Sequence, residues 1–321
     1  MDRNLALEFV RVTEAAAISA AQWMGRGERK KADGAAVDAM RSRFHDIEFS
    51  GKVVIGEGTK DDAPELYIGE KLGTGNGLEL DIAVDPLECT DSVANGAPNA
   101  ISVIATGAKG SLFHAPDTYM HKIACGPKAK EVIDLDASVE ENIGRVAEKL
   151  QKDIGEMVLI ALDREYNRET IEEIRRVGAR VRLISDGDVA GAIATCLPDS
   201  GIDLLIQRGA SAEGVLAATA IKCLGGDFQG RLAPKDDEHL QRIKDMGIED
   251  VHRKLTLDDL VGSDVATFTA TGVIDGPLLR GVRYTADYCM THSVVMRVKS
   301  GTIRFLETHH RIDTHFKEHY V

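Results

Sequence analysis

Apolar residues recur at the helical period through the first two dozen positions. Leu5, Phe9, Val12 and Ala16 follow one another at spacings of four, three and four, and Gly25 and Gly27 close the segment. A second amphipathic helix has Ala36, Met40 and Phe44 on its apolar face. Its start is expected just after the basic run Arg29-Lys30-Lys31 and the acid Asp33, since a carboxylate is favoured at a helix N-terminus. The period then shortens. Lys52 to Ile55, Leu80 to Val84 and Ala100 to Ala105 are short β-branched or apolar runs stopped by glycine or proline, the pattern of strands.

From about residue 157 strands and helices alternate: strand Val158 to Leu162, helix Glu169 to Val177, strand Val181 to Ile184, helix Val189 to Cys196, strand Leu204 to Gln207 and helix Glu213 to Leu224. This βαβ series predicts a mostly parallel sheet with helices on its faces, following an α+β first half, and the fold class is α/β. Gly126-Pro127 breaks structure ahead of the polar stretch Asp134 to Asn142, which divides the chain into an α+β domain, 1–132, and an α/β domain, 133–321. Ser293 to Val298 and Thr302 to Leu306 are two further strand-like runs near the end.

The 321 residues give each of two domains a core of its own. The 52 acids against 39 lysines and arginines leave a net charge of −13, which opposes binding to nucleic acid or to an anionic membrane. An acidic protein that met a phosphorylated ligand would have to concentrate cations locally, and bound metal would do this. Cys89, Cys125, Cys196, Cys223 and Cys289 are odd in number, widely spaced and without a C-x-x-C, which suits small buried thiols in a reducing compartment. The first turns carry charge instead of a signal-peptide apolar core, and no apolar run approaches the roughly 20 residues of a membrane span. The expectation is a soluble, cytoplasmic protein.

Charge changes the picture most by where it sits. Glu57, Asp85, Asp163 and Asp186 each stand just beyond a predicted strand, where layered α/β folds bind ligands. A single acid there is more often a turn former or helix cap; four shift the balance. In Asp85-Pro86-Leu87-Glu88-Cys89-Thr90, Pro86 presets a tight turn that would bring the two carboxylates to one side, able to share hard cations such as Mg²⁺ or Mn²⁺. Thr90 could orient a metal-bound water, and the N–H groups of Cys89 and Thr90 could face a phosphate. An ordinary proline turn followed by a helix cap fits the hexapeptide equally well. In Gly209-Ala210-Ser211-Ala212-Glu213-Gly214 small residues lead into a helix with an acid in its first turn, which also fits simple capping by Ser211.

Taken with Val54-Ile55-Gly56-Glu57-Gly58, Ser185-Asp186-Gly187-Asp188-Val189-Ala190 and Ala212-Glu213-Gly214, that hexapeptide resembles the class II fructose-1,6-bisphosphatases of bacteria, of the lithium-sensitive phosphatase superfamily. The resemblance runs nearly end to end, through Ala32-Asp33-Gly34-Ala35-Ala36-Val37, Asp61-x-Ala63-Pro64, Ala115-Pro116-Asp117-x-Tyr119-Met120 and Ala270-Thr271-Gly272-Val273. It implies a layered αβαβα sugar-phosphatase sandwich, hydrolysis of the 1-phosphate of fructose-1,6-bisphosphate in gluconeogenesis, use of sedoheptulose-1,7-bisphosphate as well, and a homo-oligomer.

By the same resemblance Asp33 and Glu57 are ligands of one metal ion, and Asp85, Glu88 and Glu213 of a second, with two or more Mg²⁺ or Mn²⁺ per site. Thr90 and Asp61 position or activate the attacking water. Substrate contacts fall on Glu88, Cys89, Thr90, Tyr119, Arg164, Glu165, Tyr166, Asp186, Gly187, Asp188 and Ala210. No nucleophilic side chain is needed, and Cys89 is given a backbone role.

Three departures mark this chain. The family usually has glycine at the position of Cys89. It usually reads Asp-Lys/Arg-Pro-Arg-His where this chain has Asp163-Arg164-Glu165-Tyr166-Asn167, so one phosphate-binding arginine is missing. Gln207-Arg208 replaces the customary Gly-Ile and offers positive charge from another direction. The departures keep two alternatives open, a phosphatase for another phosphorylated polyol and a non-catalytic sugar-phosphate sensor. Cys289-x-x-His292, His309-His310, His315 and His319 read as a solvated tail in preference to a zinc site, which needs four convergent ligands.

Overall fold

The computed structural model describes residues 5–58, 65–313 and Phe316. Contacts divide the chain into two units, the first made of residues 1–112 with 263–321 and the second of 113–262. The boundary expected at 132/133 left the last strands in the second part. They belong to the first, because Thr267–Gly272 pairs antiparallel with Ile101–Ala108 and brings the C-terminal hairpin with it.

The first unit is one eight-stranded sheet covered by the long helices Leu5–Ala21 and Arg29–Phe44, with the short helix Thr90–Asn95. The strands run in the order 283–284, 288–297, 267–272, 101–108, 79–88, 50–55 and 71–72, with 302–311 pairing 288–297. The pair 50–55 and 79–88 is parallel. Phe9 and Phe44 from the helices meet Phe49, with ring centroids 5.4 to 6.1 Å apart, and Met40, Ile82 and Leu87 close the core around them. Burying three aromatic rings at one crossing fixes how the second helix lies on the sheet, and so where its polar face points. That helix begins at Arg29, a turn earlier than expected, so the basic run and Asp33 lie inside it.

The second unit carries a five-stranded sheet ordered 180–184, 158–162, 204–210, 119–125 and 227–232. The βαβ part is parallel as expected, but Tyr119–Cys125 and Asp227–Leu232 add an antiparallel half. Helices Val139–Leu150 and Arg168–Val177 cover one face through Ile143, Val146 and Ile174 against Ile123, Leu159 and Leu204. Helix Ser211–Leu224 lies on the other, where Gly214 admits Met120 and Lys122 so closely that a Cβ would meet the Met120 sulfur at 2.8 Å.

The C-terminal histidines form no tail as far as they are described. Cys289 and His292 lie on Tyr288–Arg297 and His309 and His310 on Thr302–Arg311, a registered antiparallel hairpin. His315 and His319 lie outside the described residues. All five cysteines are free. Among the described residues no helix is long and apolar enough to cross a membrane.

Candidate active site

In the first unit, strand Ser50–Ile55 delivers Glu57 two residues past its end. Gly56 precedes it because a Cβ there would strike the carbonyl oxygen of Leu66, and the Glu57 N–H donates to that same oxygen at 3.1 Å. Burial first, and the Asp33 charge second, push the Glu57 carboxyl up to about 7. Asp33 is raised too, by burial, against the opposing charge of Arg29. Two half-buried carboxylates that resist ionising together are the electrostatic counterpart of a divalent cation, which would remove the penalty on both.

The hexapeptide does not form the expected tight turn. Asp85 through Glu88 belong to the long strand Glu79–Glu88, in which Asp85 pairs with Val103 and Glu88 with Ile101. Three steps on one strand therefore match two on its neighbour. In a regular strand residues three apart face opposite ways; this bulge puts Asp85 and Glu88 on one face. Pro86 suits the interruption because it has no N–H to lose from the ladder. Asp85 accepts from the Leu87 N–H at 3.1 Å, and Glu88 is buried. Asp85 is thus within a strand and not beyond its end.

Cys89 then adopts the left-handed conformation, φ 70° and ψ 49°, and Thr90 opens helix Thr90–Asn95. Its hydroxyl donates to the Leu87 carbonyl at 3.0 Å, which leaves the oxygen lone pairs as acceptors. Asp61 lies outside the described residues.

In the second unit, Asp188 is the best-supported acid. Lys122, with no exposed surface, forms an ion pair with one of its oxygens, and Gln207 donates to the other at 2.6 Å while accepting from the Leu162 N–H at 2.6 Å. Gly209 is required beside them, since a Cβ would collide with the Asp188 carboxylate. Sequence reasoning missed Lys122, and marked Gln207 as a departure without seeing its bond to Asp188. The signal was a lysine on the inward face of Tyr119–Cys125, between Met120 and Ala124. Gly187 takes a left-handed φ of 93°, and its N–H bonds to the Asp186 carboxylate at 3.0 Å.

Glu213 stands in the first turn of Ser211–Leu224. Its Oε2 is shielded from solvent and accepts no hydrogen bond. Burial raises its pKa, with the Lys122 charge opposing. A buried acceptor without a donor fits a cation ligand. Ser211 does not cap the helix; its hydroxyl bonds the Pro116 carbonyl.

Tyr119, opposite Ala210 in the sheet register, meets Tyr166 edge to face with centroids 5.3 Å apart. Burial raises the pKa of the Tyr166 phenol, with the Arg164 charge opposing. Glu165 turns outward to pair with Arg168 at 2.8 Å, its side chain 76% exposed. Among the described residues no three His, Cys, Asp or Glu side chains gather as a ready-made metal site. The acids come as the pairs Asp33 with Glu57 and Asp85 with Glu88, and as single groups in the second unit.

The chain matches the family model of the bacterial, glpX-encoded fructose-1,6-bisphosphatases over residues 3–310. It is 44% identical to the fructose-1,6-bisphosphatase 1 class 2 of Escherichia coli, over 98% of this chain and 97% of that one. It is 43% identical to the fructose-1,6-bisphosphatase class 2 of Haemophilus influenzae, over 99% of both. It is 41% identical to a Synechococcus protein named as a D-fructose 1,6-bisphosphatase class 2/sedoheptulose 1,7-bisphosphatase, over 98% of this chain and 97% of that one.

Proposed function

This chain belongs to the bacterial glpX-encoded fructose-1,6-bisphosphatase family, and from that premise we propose that it is a metal-dependent phosphoric monoester hydrolase releasing the 1-phosphate of fructose-1,6-bisphosphate. The observation that carries the reading is the half-buried Asp33 and Glu57 pair, whose mutual charge calls for a cation.

Asp33, Glu57, Asp85, Glu88 and Glu213 are the metal-binding carboxylates, and Mg²⁺ or Mn²⁺ suits their all-oxygen chemistry. When bound, such cations lower the pKa of a coordinated water and neutralise charge on the phosphate and the departing alkoxide. Thr90, its proton committed to the Leu87 carbonyl, accepts a hydrogen bond from the attacking water and so aims it. Asp61 accepts the proton. Asp188, held at both oxygens by Lys122 and Gln207, receives a sugar hydroxyl without having to reorient. Glu88, Cys89, Tyr119, Arg164, Glu165, Tyr166, Asp186, Gly187 and Ala210 complete the substrate contacts. A homo-oligomer in the cytoplasm is part of the same reading.

Sedoheptulose-1,7-bisphosphate is a second substrate, a reading favoured by the name of the Synechococcus relative. Phosphate release from both bisphosphates, with Mg²⁺ and with Mn²⁺ and with Glu57→Gln as control, tests the proposal. Absence of release under either metal refutes it, and preference for a polyol monophosphate moves the assignment to another substrate.

A further inference from the structure

Arg208 leaves strand Leu204–Ala210 with its guanidinium carbon 4.6 Å from the centre of the Tyr119 ring and 5.7 Å from that of Tyr166. One Nη donates to the Ala233 carbonyl at 3.0 Å. Its Nε is shielded from solvent and finds no acceptor. Among the described residues no carboxylate lies within ion-pair distance of it. A partly buried arginine is ordinarily paired, and a buried N–H ordinarily bonded. This one is instead aligned by aromatic rings, which fix a guanidinium plane without neutralising it.

Its surroundings share one chemistry. Arg231, the next arginine along this face through His121, is already committed to Asp136 and to the His252 carbonyl. Arg164 is different: among the described residues it forms no ion pair, and its positive charge acts on the Tyr166 phenol. One guanidinium against two tyrosine rings, with the charge of a second acting on one of them, is a donor set suited to the oxygens of a phosphate monoester and unsuited to a cation.

We propose that Arg208 is a specificity-determining residue that binds the phosphate which stays on the sugar, and so selects bisphosphates over monophosphates. The proposal rests on the phosphatase reading given above. It assigns to Arg208 the role left open where Tyr166 stands in place of an arginine. The ligand chemistry, a phosphate dianion, is shared by the sugar's own phosphate and by free inorganic phosphate.

The test compares kcat/KM for fructose-1,6-bisphosphate and fructose 1-phosphate in the unaltered protein, in Arg208→Met and in Arg208→Gln, which keeps a donor for the Ala233 carbonyl. The unaltered protein should favour the bisphosphate by at least about tenfold, and either variant should lower that ratio by roughly 10- to 100-fold, mainly through KM. Inhibition by fructose 6-phosphate should weaken in parallel, more than inhibition by inorganic phosphate does. An equal change on both substrates overturns the proposal, and so does an unaltered protein with a ratio near one, a result that needs no folded variant. Selective loss of inorganic-phosphate inhibition also overturns it, assigning Arg208 to the free ion. No turnover of either substrate by the unaltered protein overturns the phosphatase reading instead.

Discussion

Replacing Glu57 by glutamine should stabilise the metal-free protein, and only at neutral to alkaline pH. In the folded chain burial and Asp33 raise the Glu57 carboxyl from 4.5 to about 7. A folded-state pKa above the unfolded one means that the unfolded chain loses its proton first. The favourable contribution of the protonated group is complete below pH 4.5 and disappears as pH rises through about 7. The shift corresponds to about 3 kcal/mol at 1.36 kcal/mol per unit, an upper value for a half-buried group. Glu57→Gln keeps the shape and removes the charge. Denaturant unfolding of chelator-treated protein should therefore show the variant up to about 3 kcal/mol more stable at pH 8 and nearly equal to the parent at pH 4.5. Adding Mg²⁺ or Mn²⁺ at pH 8 should reverse the order, because only the parent offers the carboxylate. A difference independent of pH, or a variant less stable without metal at pH 8, would refute the claim that two acids face each other uncompensated.

Cys89→Gly should unfold within about 1 kcal/mol of the parent, since relief at a positive φ offsets the loss of a small buried side chain. Cys89→Val, β-branched in that conformation, should lose more than about 2 kcal/mol by the same denaturant assay. Lys122→Met should cost about 3–5 kcal/mol by leaving Asp188 buried without its cation. Adding Asp188→Asn should recover stability but not kcat/KM, and equal recovery of both would refute Asp188 as a substrate contact.

Much of the fold was legible because its signals are local. Strand Val158–Leu162 and the helices after it carry a regular period and end at Gly178 and Gly225, both with positive φ. The second helix was placed too late because Asp33 resembles an N-terminal acid, while a poorly capped Glu28 holds the real start. Non-local features were not legible. Nothing between residues 263 and 311 announces that those strands return to the first sheet, since pairing partners are chosen by distant register. Lys122 showed only as a lysine on an inward strand face, and its role stayed hidden for the same reason: its partners are 66 residues away in Asp188 and across the sheet in Gln207. The acids of the site were found by their place in motifs, but how Asp85 and Glu88 come to act together depends on a neighbouring strand.

That dependence bears on how such a motif is inherited or transplanted. The spacing Asp-x-x-Glu is meaningful only opposite a segment one residue shorter, here Ile101 to Val103. Grafted into an unbroken ladder, the same hexapeptide would send its acids to opposite sides and chelate nothing. Conversely, a single-residue insertion between Ile101 and Val103 would disable the site while leaving every acidic residue in place. Half of what makes these two carboxylates a pair is therefore written in a stretch of chain with no charge at all.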